Sequence, residues 1–311
     1  MKAFTFPILI LAAVFSSHAA PITLEDISPH LSTNAQIIWQ APTNNLPQSF
    51  WIYKKSPQLF SATTISNAII LASFQDKGFP KPSTNQTVIW GDRSEGEPEP
   101  PYFSILPDVG QMSFTLGDRG PQSPEGISTN EAAVQRAWEC LAQLDMNYSQ
   151  FVKTNASAWG GYGVFLPRQI DGIEVYGGSE GFQIQFAKQK VVEFCLLFPN
   201  LERDKQSQTA SPQQIVACIR AFKTPSPPDG GETDYFGRIK NLAKTKRLTI
   251  VKITPYYGDG IYGERLTNDE LPQVVVPIAE LEAVADFGNS NATVRLLSPI
   301  ISSEVNRLLT R

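Results

Sequence analysis

Histidine is almost missing from this chain, with two in 311 residues, His18 and His30, and cysteine is nearly as scarce, with three, Cys140, Cys195 and Cys218. A Ser-His or Cys-His mechanism needs an imidazole beside its nucleophile, and a zinc site usually draws several His or Cys ligands. The composition weighs against both, and no metal site is expected. Three thiols make no disulfide framework either. One bridge stays open in an oxidising compartment, and no spacing selects its pair. A basic excess is also missing: Lys and Arg total 26 against 30 Asp and Glu. That balance speaks against a nucleic-acid partner, which calls for a basic patch. Neither a phosphate-cradling Gly-x-x-x-x-Gly-Lys-Ser/Thr loop nor a dinucleotide fingerprint occurs, so no cofactor is expected.

What is present begins with a leader. Lys2 is followed by an apolar run over residues 4–15 and then by Ser16, Ser17, His18, Ala19 and Ala20. A charged start, a short apolar run and small residues at the cut form the pattern of a cleaved signal peptide, whereas a bilayer span takes about 20 apolar residues. Cleavage is expected after Ala19, with Ser17 at position −3, because a cut one residue later would set Pro21 just past the scissile bond. His30 is then the one histidine of the mature chain. The reading is export to a periplasmic or extracellular place, with no integral membrane segment once the signal is removed.

Along the mature chain, the section up to residue 47 reads as irregular and polar, around His30 and the apolar Ile37, Ile38 and Trp39. Phe50, Trp51, Ile52 and Tyr53 cluster as a strand. Thr64 is placed to cap a helix over 65–74, with Ile65, Ile69 and Ala72 at helical spacing. Short strands are expected at 87–90, 102–106 and 111–116, the last two a hairpin turning on Pro107, Asp108 and Gly110. Asp92, Glu95, Glu97 and Glu99 form an acidic proline loop, read as solvated because the spacing of a calcium loop is missing, with a hard cation such as calcium as its other reading. Residues 117–126, rich in Gly, Pro and Ser, read as the main boundary.

Ser128 and Glu131 then form a capping-box pattern ahead of a helix whose face carries Val134, Trp138, Leu141 and Leu144. Residues 165–203 read as a strand meander, in which Asp171-Gly172 and Gly177-Gly178 supply the positive-φ residues of tight turns. Phe182, Ile184 and Phe186 alternate with Gln183 and Gln185, so one face is expected to be buried and one wet. Ser211, Pro212 and Gln214 open another helix, with Ile215, Ile219 and Phe222 on its apolar side. Residues 235–246 read as a helix with a basic face and 248–257 as a strand. Two closing antiparallel strands, 273–283 and 292–298, precede a short amphipathic tail on Val305, Leu308 and Leu309.

The order of a helix and then a meander reading Arg168-Gln-Ile-Asp171-Gly172-Ile-Glu-Val-Tyr-Gly177 resembles the extracytoplasmic PepSY-like modules. It is also similar to the YycH/YycI group of sensor-kinase regulators, which carry such modules in tandem. The segment 128–203 carries the resemblance, and residues 248–277 are similar to the closing strands of a second unit. The resemblance implies an α+β fold of tandem units, each a helix packed on a small antiparallel sheet. The implied layout is a signal peptide at 1–19, an N-terminal α+β unit at 20–120, a PepSY-like helix and meander at 121–208, and a C-terminal α+β unit at 209–311 packed with the preceding one. It also implies a non-enzymatic binding, inhibitory or regulatory role, and it brings no catalytic residue.

The residues themselves agree with the absence of a catalytic assignment. Gly177-Gly178-Ser179-Glu180-Gly181 matches the nucleophile-elbow string G-x-S-x-G, which needs a helix after the serine and a histidine further on. Here a strand pattern follows, and no histidine comes after Ser179. Asp171 and Glu174 lie three apart on a strand and so face opposite ways, a poor start for an acid–base pair. The basic run Arg238, Lys240, Lys244, Lys246 and Arg247 reads as a solvated helix face, with an acidic partner or headgroups as its other reading. The candidate binding residues are aromatics at strand–loop edges: Trp159, Tyr162, Tyr256 and Tyr257. The expected function is an exported binding, regulatory or inhibitory protein acting on an extracytoplasmic protein partner, such as a protease or signalling protein. The alternatives are a secreted hydrolase built on paired carboxylates and a structural protein of an envelope assembly.

Overall fold

The computed structural model describes residues 31–32, 34–72, 88–90, 102–116, 129–146, 148–152, 156–159, 163–176, 180–187, 190–221, 245–259 and 274–310. The leader, His30, the acidic loop, Ser179 and residues 235–244 of the basic stretch lie outside the described residues. Strands β1 (Gln36–Trp39) and β2 (Ser49–Ser56) precede helix α1 (Ala62–Leu71). Then come β3 (Val88–Trp90), β4 (Tyr102–Leu106), β5 (Gln111–Thr115) and helix α2 (Asn130–Gln143). The meander is β6 (Ser157–Trp159), β7 (Gly163–Pro167), β8 (Gln169–Ile170), β9 (Ile173–Glu174), β10 (Gly181–Ala187), β11 (Lys190–Leu197) and β12 (Asn200–Gln208). Helix α3 (Pro212–Ala221), strands β13 (Arg247–Asp259), β14 (Val274–Asp286) and β15 (Asn291–Pro299), and helix α4 (Ser302–Leu309) complete the order.

This is an α+β chain rich in sheet, and it divides into two compact units. One takes Met1–Tyr53 with Arg203–Arg311, and the other takes Lys54–Glu202. The chain passes from the first to the second inside β2 and returns inside β12.

The Lys54–Glu202 unit is organised on a sheet with strand order β3-β4-β5-β11-β10-β7-β6, antiparallel throughout. The segment 117–126 lies outside the described residues, yet β5 before it and β11 after it are neighbours in this one sheet. The period-2 pleat stacks Leu166, Phe182, Leu196, Met112 and Ile105 in one row and Val164, Ile184, Phe194, Phe114 and Phe103 in the next. Both rows are buried, and the apolar sides of α1 and α2, with Ile65, Ala68, Ala133, Ala137, Cys140 and Leu141, complete the core. Phe194 sits at its centre, edge-on to Phe103 at 6.2 Å and tilted against Phe114 at 5.9 Å. The reverse face is largely polar, as the alternation predicts, but it is only partly wet. Ser104, Ser113, Thr115 and Gln185 are buried there, and the two serine hydroxyls satisfy one another at 2.7 Å.

Helix starts depart from the expected residues by small steps. Ser61, not Thr64, caps α1, accepting from the Thr64 amide at 2.9 Å, while Thr64 is buried and shares a hydrogen bond with Ser61. Thr129, not Ser128, caps α2 by accepting from the Ala132 amide at 3.1 Å. Val134 and Trp138 lie at the margin of the core, while Ala133, Ala137, Cys140 and Leu141 fill its centre. At α3 the expected box forms: Ser211 Oγ accepts from the Gln214 amide and Gln214 Oε1 accepts from the Ser211 amide.

The unit of Met1–Tyr53 and Arg203–Arg311 carries the second sheet, in the order β1-β13-β14-β2-β12, with β15 also paired to β14. Residues 36–39, expected to be irregular, form β1 and pair in parallel with β13. Leu248, Ile250, Leu281, Ala283, Ala285 and Leu296 are fully buried on one face of this sheet, and α3 and α4 pack against its strands β1 and β15. From α3 and α4 come the buried Ile215, Cys218, Ile219 and Val305, whereas Leu309, expected on the apolar side of the tail, is 40% exposed. At the end of the strand order, Arg203 to Gln206 of β12 are all exposed. A charged sequence there discourages a stray strand from pairing.

Two glycines carry turns for different reasons. Gly110, at φ 66°, closes the β4–β5 hairpin, and a Cβ there would overlap the backbone of Pro199. Asp171 and Gly172, at φ 50° and 78°, form the two-residue turn of the β8–β9 hairpin, and nothing lies within 4 Å of a Cβ built on Gly172. Gly110→Ala is therefore expected to destabilise by at least about 2 kcal/mol and Gly172→Ala by only about 1 kcal/mol. Urea unfolding of the two variants reads the difference.

Candidate functional site

The chemistry-bearing residues of the meander meet in one buried cluster of the Lys54–Glu202 unit. Arg168 Nη1 donates to Glu180 Oε2 at 2.7 Å and to the Pro199 carbonyl at 2.8 Å, and its guanidinium lies 3.9 Å over the Phe198 ring. Lys55 Nζ stands 3.0 Å from Glu180 Oε1. Phe198 stacks on Phe151 at 5.4 Å, and Phe151 meets Trp138 edge-on, so the ion cluster continues into an aromatic column. The Glu180 side chain is 0% exposed and that of Arg168 only 5%. Removing one partner of such a pair leaves a buried charge, a loss of about 3–5 kcal/mol. The arrangement therefore holds the backbone of the meander together. Glu180 sits inside the G-x-S-x-G string, and the chain after it forms β10 rather than the helix that a nucleophile elbow requires.

A different arrangement stands on the outer face of the other unit's sheet. It is set by one irregularity in β13. Ile250 pairs with Ala283 and Lys252 with Glu282, so Val251 is an extra residue, a β-bulge. A bulge re-aims the side chains that follow it. Unbroken alternation from the buried Leu248 and Ile250 would turn Lys252, Thr254 and Tyr256 inward. With the bulge, these three face outward and Tyr257 turns in.

The outer face then forms rows across the strands. Gln36, Arg247, Asp286 and Asn291 make the first, and Ile38, Thr249, Val284 and Thr293 the second. Lys252, Glu282 and Arg295 make the third, Thr254, Glu280 and Leu297 the fourth, and Tyr256, Ile278 and Pro299 the last. Cations stand outward over carboxylates that are set deeper. Arg295 is 49% exposed against 17% for Glu280, 3.8 Å from its Nε, and Arg247 is 52% exposed against 27% for Asp286, at 3.1 Å. Lys252 is exposed and Glu282 half-buried, and among the described residues Lys252 makes no ion pair.

Tyr256 and Tyr257 take opposite faces of β13. Tyr256 is half-buried on the outer face, beside the buried Ile278 and Pro299. Tyr257 is 1% exposed, edge-on to Tyr53 at 5.6 Å, with its hydroxyl donating to the Trp51 carbonyl at 3.2 Å. It is a core residue rather than an edge residue, because the bulge inverts its side. Trp159 ends β6, where its backbone pairs with Gly163, and Tyr162 lies outside the described residues. Lys252, Arg247 and Arg295 were not singled out as a group by sequence, since β13 and β15 supply them from distant positions.

Among the described residues, no three His, Cys, Asp or Glu side chains are grouped so as to hold a metal ion, and no helix is long and apolar enough to cross a membrane. No family model matches the chain, and neither does any curated protein. Among solved structures it is similar to the C-terminal domain of YpeB from Bacillus megaterium. The TM-score is 0.32 and the identity 10%, over 78% of this chain and 95% of that one. A likeness at that score carries no argument, and the fold rests on the strand pairing above.

The three cysteines are free thiols. Burial pushes Cys140 and Cys218 up to about 11, and Cys195 up to about 12 with help from the Glu193 charge. A thiol at those values is almost wholly protonated at pH 8, and the thiolate is the reactive form. Iodoacetamide at pH 8 is expected to leave all three unmodified in the folded protein and to modify all three after unfolding. Modification of the folded chain, read by peptide mass mapping, would contradict the raised values of the buried Cys140 and Cys218 and the half-buried Cys195. Because burial penalises the thiolate in the folded chain, stability does not depend on these thiols below the unfolded value near 9 and falls as pH rises from there through 11–12.

Proposed function

We propose that the protein is an exported, non-enzymatic binding protein, regulatory or inhibitory in role, that engages an extracytoplasmic protein through the outer face of the β1-β13-β14-β15 strands. Its units are PepSY-like helix-on-sheet modules in this reading, with the buried faces given to scaffold and one outer face to recognition. The observation that carries it is the bulge at Val251, which sets Lys252 outward next to Glu282 and Arg295 and leaves Tyr256 at the border of the same face. Arg and Tyr are enriched where proteins meet, and a non-obligate interface taken as a whole is about as polar as the rest of a protein surface.

A photo-crosslinking residue in place of Thr254, on this face, tests the proposal in the exporting cell, with Thr63 on the exposed side of α1 as the reference position. The expected result is one discrete protein adduct from position 254 and none of that mass from position 63. No adduct from position 254, or the same adducts from both positions, would remove this face as the binding surface.

A further inference from the structure

We infer that the partner segment that occupies this face is acidic. The inference rests on the binding face proposed above and adds the chemistry of its occupant. The face holds equal numbers of the two signs: Arg247, Lys252 and Arg295 against Asp286, Glu282 and Glu280. Their depths differ. The carboxylates lie half-buried, the arginines paired with Asp286 and Glu280 are about half exposed above them, and Lys252 beside Glu282 is exposed. An approaching chain therefore meets positive ends first, and the recessed negative charges are farther away, so the Coulomb attraction at contact favours an anion.

Pairing also orders the cations before the partner arrives. Arg247 and Arg295 each lean on one carboxylate, which limits the side-chain freedom that binding would remove. An arginine has five N–H donors in a fixed fork. The contact of Arg247 to Asp286 is made by Nη2 and that of Arg295 to Glu280 by Nε. Such forks suit carboxylates well.

The strand geometry fixes the spacing that the partner must match. Lys252 and Arg295 flank Glu282 from either side, two strand spacings or about 10 Å apart. Arg247 and Lys252 sit opposite Asp286 and Glu282, four residues apart on β14, or about 13 Å. Carboxylates set at about 10 and 13 Å would reach all three cations. Thr249, Thr254 and Thr293 stand between and beside them as hydroxyl donors of the same face.

Fluorescence anisotropy of a labelled 15-residue poly-L-glutamate against the full mature chain tests this, with poly-L-lysine of the same length as the opposite probe. Saturable binding of the glutamate chain alone is expected, weakening as salt rises from about 50 to 300 mM. The charge reversal Lys252→Glu with Arg295→Glu is expected to weaken it at least about tenfold, and Lys205→Glu on β12 by less than about twofold. Should the reversal fail to keep the parent unfolding temperature, Lys252→Gln with Arg295→Gln replaces it, with a loss of at least about threefold expected. Equal binding of reversed and parent chains would overturn the inference. So would capture of heparin or of phosphatidylglycerol vesicles with no binding of poly-L-glutamate, which would assign the face to a sulfated or phosphate-bearing surface. If poly-L-glutamate fails while the crosslink from position 254 persists, the face stands and the acidic occupant is wrong; if both fail, the binding face itself is wrong.

Discussion

The pleat of a β-strand admits no compromise: shifting by one residue turns every later side chain to the other face. β13 makes that shift once, at Val251, and the candidate surface depends on it. Before the bulge, Leu248 and Ile250 are fully buried; after it, Lys252 is exposed and Tyr257 is 1% exposed. One inserted residue thus serves two ends. It delivers a charged side chain to the row of Glu282 and Arg295, and it sends a large aromatic inward to meet Tyr53 and the Trp51 carbonyl.

The Lys54–Glu202 unit follows a different constraint, the need to satisfy buried charge. Its sheet is regular and its apolar rows are complete, but Glu180 is 0% exposed and draws both Arg168 and Lys55 to itself. The Arg168 side chain also holds the Pro199 carbonyl and covers Phe198. Residues of the meander that read as chemistry therefore act on the backbone. The three thiols point the same way: each is held by burial well above the range in which a cysteine reacts.

Much of the scaffold was legible from local patterns. The alternation of Phe182, Ile184 and Phe186 placed β10, Asp171-Gly172 placed a two-residue hairpin, and the Ser211 and Gln214 pair marked a reciprocal cap that forms as read. Competing caps were not separable, because Ser61 and Thr64, like Ser128 and Thr129, offer the same hydroxyl within one turn. β1 was missed since four residues flanked by polar chain gain strand character only from their distant parallel neighbour β13. The surface was least legible. Tyr256 and Tyr257 are adjacent and chemically alike, and nothing local reveals that Val251 is a bulge, which only the partner strand β14 defines. Glu180 escaped for a related reason, since its cations come from Lys55 and Arg168, neither close in sequence.

The bulge can be read directly in the unaltered protein by nitration of tyrosines under native conditions, followed by peptide mass mapping of the β13 segment. A strand with the extra residue at Val251 presents the Tyr256 ring to reagent and keeps the hydrogen-bonded Tyr257 ring inside. Nitration of Tyr256 with Tyr257 spared is the expected outcome. Nitration of Tyr257 with Tyr256 spared would mean an unbroken pleat, and Lys252 would then point away from the face on which the functional reading stands.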